Sequence, residues 1–189
     1  MACPGADLEP DETRLLEAVK QGNRDACAEV VRAHYRSIYR FLVHLASDAA
    51  IAEDLTQETF RAAWEAIMNF RGRSSIGTWL HRIAYGKFID AKRRMKRDAH
   101  ASDKLRAGAG VSSSVPTPLE ALAADEETRR VYAALAQLDD ADRSVIALHY
   151  FEGMSYSDMA EVLAQPPGTL KWRTSSALSK LRAALNGRM

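Results

Sequence analysis

Cysteine is scarce in this 189-residue chain, which contains only Cys3 and Cys27, and the two are not spaced as metal ligands. A reducing cytoplasm is the simplest setting for so few thiols, so we expect a cytoplasmic protein. Long apolar runs are absent too, since none reaches the ~18 residues that indicate a membrane-spanning helix. The first residues have neither a basic nor an apolar segment typical of a signal peptide. We therefore expect no membrane insertion.

The motifs of common catalytic sites are also missing. The sequence contains no glycine-rich phosphate loop, no HExxH pair and no serine nucleophile elbow. Its five histidines are scattered without the spacing of metal ligands. Glu53 and Asp54 are adjacent carboxylates, but no electrophilic partner for acid–base chemistry is evident near them. We expect no enzyme, with no catalytic residue, no metal site and no cofactor.

Aromatic residues make up only 7% of the chain, and no strand-like alternation of useful length occurs. Apolar residues recur instead at three- and four-residue steps, as in the stripe from Cys27 to Leu45. This period predicts an all-α protein. The predicted helices cover about 12–21, 24–46, 50–69, 77–96, 119–138, 143–151, 156–164 and 170–186.

The helical period stops between residues 98 and 118, where Gly, Ser and Pro accumulate. A segment of this length is too long for an ordinary loop within a domain, and its composition is typical of a flexible linker. We therefore predict two small helical domains, residues 1–97 and 119–189, joined by the linker 98–118.

Charge is distributed unevenly, although the net charge is only +1. Residues 71–97 hold nine Lys and Arg against one acid, and residues 168–189 hold five against none. A basic cluster at the end of an amphipathic helix is typical of nucleic-acid binding. An ordinary solvated surface is the alternative interpretation of the same pattern.

The last quarter of the chain predicts a helix-turn-helix. Ser155 and Asp158 have the spacing of a capping box, and the segment 165–168 separates a short helix from a basic one. Thr169 is in position to cap this last helix. A short helix, a tight turn and a basic second helix are typical of DNA binding, although a plain surface hairpin fits the pattern as well.

Several segments together resemble a known family. Residues 53–64 resemble the polymerase-binding helix of bacterial sigma factors, and residues 70–84 look like the next segment of the same domain. Residues 89–94 are similar to the end of the promoter-reading helix, and residues 138–173 carry motifs of the family's helix-turn-helix domain. The match is to the extracytoplasmic-function branch, or group four, of the sigma-70 family.

The resemblance implies a subunit that binds core RNA polymerase and directs initiation at promoters with −10 and −35 elements. Residues 1–97 would be region 2 and residues 119–189 region 4. Contacts with the clamp of the largest polymerase subunit would come from Asp54, Leu55, Gln57 and Glu58. The −10 DNA would be contacted by Arg71, Ser74, Ser75, Arg82, Lys87, Arg93 and Arg94. The −35 DNA would be contacted by Thr169, Lys171, Trp172, Arg173 and Ser176.

The resemblance also implies the flap of the second polymerase subunit as a partner, control by a separate anti-sigma factor, and a place in a stress response. A different hypothesis is a stand-alone helix-turn-helix regulator whose first half signals or dimerises. Residues 53–64 and the basic run 92–97 argue against it, because a dimerisation domain needs neither.

Four positions depart from the family pattern. Gly86 replaces a frequent asparagine and allows a bend or close approach in its helix, while Ser176 replaces a frequent arginine. Thr174 replaces an apolar core residue, so we expect the last helix to be held less firmly. Trp172 stands where a small residue is usual, and contact with a thymine methyl or packing on a partner both remain open.

Overall fold

The computed structural model describes the backbone of residues 10–103 and 126–186, and side chains within 11–98 and 130–186. Its first part contains α1 (Pro10–Lys20), α2 (Arg24–Ala46), α3 (Ala49–Ala66), a 3-10 turn (Ile67–Asn69) and α4 (Ile76–Asp103). Its second part contains α5 (Glu126–Ala136), α6 (Asp140–Ile146), a π turn (Ala147–Phe151), α7 (Tyr156–Leu163) and α8 (Pro167–Leu185). All regular structure in these ranges is helical, which confirms the all-α prediction.

Side-chain caps fix where the helices of the first part begin. The Asn23 carboxamide oxygen accepts from the backbone amide of Asp25 at 2.9 Å. Gly22, with a φ of +78°, ends α1 just before it. Asp48 caps α3 as the sequence predicts, since its Oδ1 accepts from the Ile51 amide at 3.0 Å. The cap at Asn23 thus separates α1 from α2, and the cap at Asp48 separates α2 from α3.

Each part buries its own apolar stripe. Helices α2, α3 and α4 pack on one another around fully buried side chains that include Ile38, Phe41 and Leu80. In the second part, α6, α7 and α8 surround Met159 and Leu170, neither of which is exposed to solvent. The helix-turn-helix is therefore a packed unit, with Ser155 capping α7 through the Asp158 amide as predicted.

The two parts also pack against each other. Helix α7 lies along α4, and α2 contacts both α6 and the π turn. Buried side chains from both parts join into one apolar cluster. The residues that the sequence assigns to polymerase and DNA contact are therefore carried on one compact body in this structure.

The predicted linker begins too early. Helix α4 continues through Asp103, so the first six residues of the predicted linker, 98–103, are helical. The reason is local, because residues 98–103 contain neither Gly nor Pro and the first glycine of the segment is Gly108. The rest of the predicted linker, and the predicted helix from 119 up to 125, lie outside the described residues.

Two unusual residues, Gly86 and Thr174, have clear surroundings in this structure. Helix α4 runs through Gly86 without a break, and a Cβ added there would meet no heavy atom within 4 Å. Gly86 thus marks no break in the helix and, contrary to one expectation, no close approach. Thr174 is 2% exposed, and its hydroxyl donates to the Leu170 carbonyl at 2.8 Å. The hydroxyl is satisfied within its own helix, so it leaves no unpaired polar group under α8.

Gly86 and Gly153 form a matched pair for a stability test. We expect Gly86→Ala to raise the free energy of unfolding by about 1 kcal/mol, because alanine favours a helix and space is open at the site. Gly153→Ala should lower it by about 1 kcal/mol, because the backbone there has a φ of +67°. Urea unfolding of both variants tests this. Equal shifts in the same direction would contradict it.

Candidate nucleic-acid interface

The face of α3 assigned to polymerase contact is only partly accessible. Asp54 and Gln57 are exposed, and Glu58 is half-buried with its Oε2 3.7 Å from the Arg94 guanidinium. Leu55 is only 4% exposed, so its assignment as a contact residue needs correction. The helical period explains this, because Leu55 shares the inward side of α3 with Ala52. The accessible part of this face carries acidic and amide groups.

The loop before α4 is held from two sides. The ring of Phe70 stacks on that of Trp79, with 4.6 Å between centroids. The Phe70 carbonyl accepts from Lys20 Nζ at 2.6 Å, which ties the loop to the end of α1. Sequence reasoning did not find Lys20, since 50 residues separate the two partners.

Both serines predicted to contact the −10 DNA have other roles in this structure. Ser75 begins α4, because its Oγ accepts from the Thr78 amide at 3.0 Å. Ser74 is 7% exposed. The loop's accessible polar groups are instead guanidinium groups, because Arg71 and Arg73 are both exposed.

A cleft of about 510 Å³ opens beside this loop. Arg71, Arg73 and Arg82 contribute to its wall, and the second part of the chain adds Glu161 from α7. The remaining lining residues are Ala66, Asn69, Phe70, Ser74 and Trp79. The cleft therefore presents mainly cations to solvent, which suits phosphates, because Phe70 and Trp79 are each only 6% exposed. In this arrangement a carboxylate occupies one side of it.

Helix α4 continues the basic surface toward its C-terminal end. Arg82, Arg93 and Arg94 are exposed and Lys87 is half-buried. Lys92, in contrast, donates from Nζ to Asp140 Oδ2 at 2.5 Å, and so binds the second part of the chain. The predicted −10 cations on α4 remain accessible while the parts are packed together.

The last helix differs from its prediction at its beginning. Helix α8 begins at Pro167, a residue suited to the first helical position, so Thr169 lies inside the first turn and is not the cap. Thr169, Lys171 and Trp172 are exposed, and Ser176 is half-buried.

Arg173 points toward the protein and binds a buried acid. Asp142, whose side chain is 4% exposed, accepts from Lys180 Nζ at 2.5 Å and from Arg173 at 3.4 Å. The hydrogen bond to Asp142 raises the pKa of Lys180. Sequence reasoning missed Asp142, although the seven-residue spacing of Arg173 and Lys180 places both on one edge of α8.

A second buried acid joins the two parts of the chain. The side chain of Glu152 is 3% exposed and accepts from Arg40 Nε at 2.9 Å and from Ser37 Oγ at 2.5 Å. The ring of His81 lies 3.9 Å away. The hydrogen bond to Glu152 raises the pKa of Arg40, while burial lowers the pKa of His81.

His44 lies in the same interface without hydrogen bonds. Its ring centroid is 4.1 Å from that of Phe151 and 5.4 Å from that of Tyr132. Both ring nitrogens are buried and unpaired in the described part of the chain. Burial lowers the pKa of His44 to about 4, so the ring is neutral at pH 7 and packs as an aromatic group.

Arg143 completes the interface. Its guanidinium donates to the carbonyls of Leu135, Ala136 and Leu138, which end α5 and lead into α6. A further hydrogen bond of 2.9 Å reaches the Leu45 carbonyl at the end of α2. One buried cation thus satisfies backbone acceptors from both parts of the chain.

Comparisons with known proteins agree with this division. The family model for sigma-70 region 2 matches residues 30–98, and that for sigma-70 region 4 matches residues 128–181. The RNA polymerase sigma-H factor of Pseudomonas aeruginosa is 32% identical, covering 92% of this chain and 93% of its own. The ECF RNA polymerase sigma factor SigW of Bacillus subtilis is 29% identical, covering 91% and 95%.

Solved structures give the same result. CnrH, in complex with the cytosolic domain of CnrY, has a TM-score of 0.71 at 26% identity, covering 94% of this chain and 99% of its own. The sigma factor RpoE of Bartonella quintana, in complex with the anti-sigma factor NepR, has a TM-score of 0.70 at 26% identity. That match covers 84% of this chain and 96% of the other.

Two other features are absent from residues 10–103 and 126–186. No helix there is long and apolar enough to cross a membrane. No cluster of His, Cys, Asp and Glu side chains there could hold a metal ion.

The environment of His44 predicts how stability depends on pH. The pKa of this histidine is about 4 in the folded protein and returns to about 6.5 on unfolding. Between these values the unfolded chain binds more protons, so stability is full above pH 6.5 and falls as pH falls toward 4. The loss attributable to His44 amounts to roughly 3 kcal/mol at pH 4.

We expect His44→Phe to fold normally at pH 7 and to remove this part of the acid loss. Urea unfolding of wild type and variant from pH 7 to 4 measures the difference, which should grow steadily as the pH falls. Burial also lowers the pKa of His34 and His81, so the variant keeps some acid sensitivity. Parallel curves for the two proteins would contradict the role given to His44.

Proposed function

Because the chain belongs to the sigma-70 family of RNA polymerase sigma factors, in its extracytoplasmic-function branch, we propose how its residues divide the work of initiation. Residues 1–97 dock on core polymerase and open the −10 element, and residues 119–189 hold the −35 element. The observation that carries this is the presence of both region matches, in order, in one chain. The region 2 match also argues against the alternative of a stand-alone regulator, because it covers the half that would have to signal or dimerise.

The exposed side of α3 supplies the docking surface for the polymerase clamp. Asp54 and Gln57 offer acceptor oxygens, and Glu58 adds a second carboxylate at the edge of the face. Acceptors of this kind suit a basic partner, since complementary charge speeds association and fixes orientation. Leu55 stabilises α3 from inside.

The cleft beside Phe70 receives the unpaired −10 strand. Its guanidinium groups suit phosphates, while Phe70 and Trp79, stacked on each other and each only 6% exposed, hold the loop that carries Arg71 and Arg73. Arg82, Arg93 and Arg94 continue the cationic surface along α4. These contacts add affinity that does not depend on sequence and that weakens with salt.

The compact arrangement cannot read both elements at once. Elements named −10 and −35 are centred roughly 25 base pairs apart, or about 85 Å along B-form DNA at ~3.4 Å per base pair. A compact chain of this length is only roughly 40 Å across. We therefore propose that the two parts separate on the polymerase.

The same arrangement suits an inactive form in the cytoplasm. Glu161 lines the −10 cleft when the parts are packed together, and Lys92 is bound to Asp140. A similar solved structure is that of a sigma factor bound to the anti-sigma factor NepR. We propose that a separate anti-sigma factor likewise controls this chain. The chain itself performs no catalysis, which belongs to the polymerase.

Run-off transcription with purified core polymerase tests the proposal. Core with this protein should start at promoters that core alone ignores, and the protein should co-elute with core on gel filtration. A chain that neither co-elutes nor changes the start sites would overturn it.

Charge reversal on α3 tests the docking surface. Asp54→Lys places a cation against the basic clamp, so affinity for core should fall at least about tenfold, because like charges at an interface cost several kcal/mol. Glu17→Lys makes the same charge change at an exposed position of α1 and should leave the affinity unchanged. Fluorescence titration with core measures both. Equal affinity of Asp54→Lys and wild type, with both folded, would show that this face is not the docking surface.

A further inference from the structure

The outward face of α8 carries almost no charge. Successive residues of a helix are about 100° apart, so Trp172 lies at the middle of a stripe with Thr169, Ser175, Ser176 and Ser179. The opposite side holds the buried Leu170, Thr174, Ala177 and Leu181. Hydroxyl groups and one indole therefore form the surface that this helix presents to a ligand.

The cations of α8 lie on the two edges of this stripe. Lys171 and Arg182 are exposed on one edge. Arg173 and Lys180 are on the other, where Asp142 binds both. Arg173, which the resemblance assigned to the −35 DNA, has its guanidinium turned toward the protein. No Arg or Lys lies at the centre of the stripe.

This distribution determines which DNA groups the helix can reach. A recognition helix in the major groove turns its central stripe toward base edges and its two flanks toward the phosphates. Guanine is usually recognised by a bidentate Arg or Lys, and the centre of this stripe has neither. The apolar group that the bases offer in the major groove is the C5-methyl of thymine.

Trp172 is the apolar group available for that contact. Its side chain is 70% exposed, the largest exposed fraction among the big apolar residues described. None of the aromatic contacts within the described residues involves its ring. Covering such a ring with an apolar group is favourable. The exposed ring of Trp172 is therefore available to pack on a binding partner.

We propose that Trp172 determines promoter specificity by packing on a thymine methyl in the −35 element. Hydroxyls of the same stripe contact the neighbouring base edges, while Lys171 and Arg182 hold phosphates. The preferred upstream element then contains thymine at the step facing α8. This inference rests on the proposed −35 role of residues 119–189 and adds to it the base that is read and the residue that reads it.

Replacing thymine with deoxyuridine isolates the methyl group, because base pairing is kept and only the methyl is lost. Holoenzyme, reconstituted from core and this chain, first selects duplexes from a random-sequence pool. Each thymine of the selected upstream element is then replaced singly, and affinity is measured by competition. At one thymine, wild type should lose about fourfold in affinity, the effect of one buried methyl.

Variants of α8 assign the effect to Trp172. Trp172→Ala should bind the thymine and deoxyuridine duplexes equally, and Trp172→Phe should retain part of the preference. Arg182→Ala is the matched control on the same helix. It should weaken both duplexes equally, keep the thymine preference, and lower the salt dependence by about one phosphate contact.

The failures of the two proposals differ. If holoenzyme transcribes from selected promoters but tolerates every deoxyuridine, the thymine contact is wrong and the sigma-factor function stands. The contact is also wrong if Trp172→Ala keeps the wild-type preference, or if that variant loses affinity for core instead, since Trp172 then packs on polymerase. Recovery of no upstream element from the pool would overturn both.

Discussion

The buried carboxylate of Glu152 determines how the two halves of the chain pack against each other. Glu152 is held by Arg40 and Ser37, and with it the π turn is fixed against α2. Removing one partner would leave an unpaired buried charge, which costs about 3–5 kcal/mol. Separating the halves is different, because water then solvates both ions and the net cost is small. The ion pair therefore makes the interface specific in geometry while adding little to the cost of the separation proposed above.

An uncharged histidine ring packs in the same interface, at a place where a buried charge would lower stability. His44 is surrounded by aromatic rings and has no hydrogen-bond partner in the described residues, so it is tolerated only as the uncharged ring. Arg143, a few residues from Glu152, satisfies backbone carbonyls that would otherwise be buried unpaired. Apart from the two ring nitrogens of His44, the buried polar groups named in this interface are hydrogen-bonded, and accessible cations remain on α4 and α8. Closure thus leaves exposed cations on α4 and α8 while holding both helices on one compact body.

The sequence predicts helices well because their signals are local. The caps at Asp48 and Ser155 are found within three residues of the amides they bind, so both could be read directly. Pairings between distant segments leave no such signal. The bond from Arg40 to Glu152 joins residues 112 apart, and no periodicity indicates it. The closed arrangement was therefore not predictable from the pattern of helices.

Errors in the predicted site have the same origin. A motif indicates which residues belong to a functional segment, but not which of them face the solvent. Leu55 and Ser74 fall within matching motifs yet are buried, and Ser75 is used to cap α4. Arg173 belongs to a basic helix, but its charge is bound by an acid from another helix. The uncharged stripe centred on Trp172 becomes apparent only once the structure shows that Arg173 is bound to Asp142.

The distance between the two halves tests most directly whether they separate to read a promoter. Fluorophores on cysteines introduced at the exposed Ala33 and Ser157, in a chain with Cys3 and Cys27 replaced by serine, report this distance by energy transfer. The free protein should give a distance within the roughly 40 Å breadth of the compact chain. In a transcribing complex with core polymerase and promoter, the distance should exceed about 60 Å, since the elements lie roughly 85 Å apart. An unchanged distance in a complex that initiates transcription would contradict the proposal.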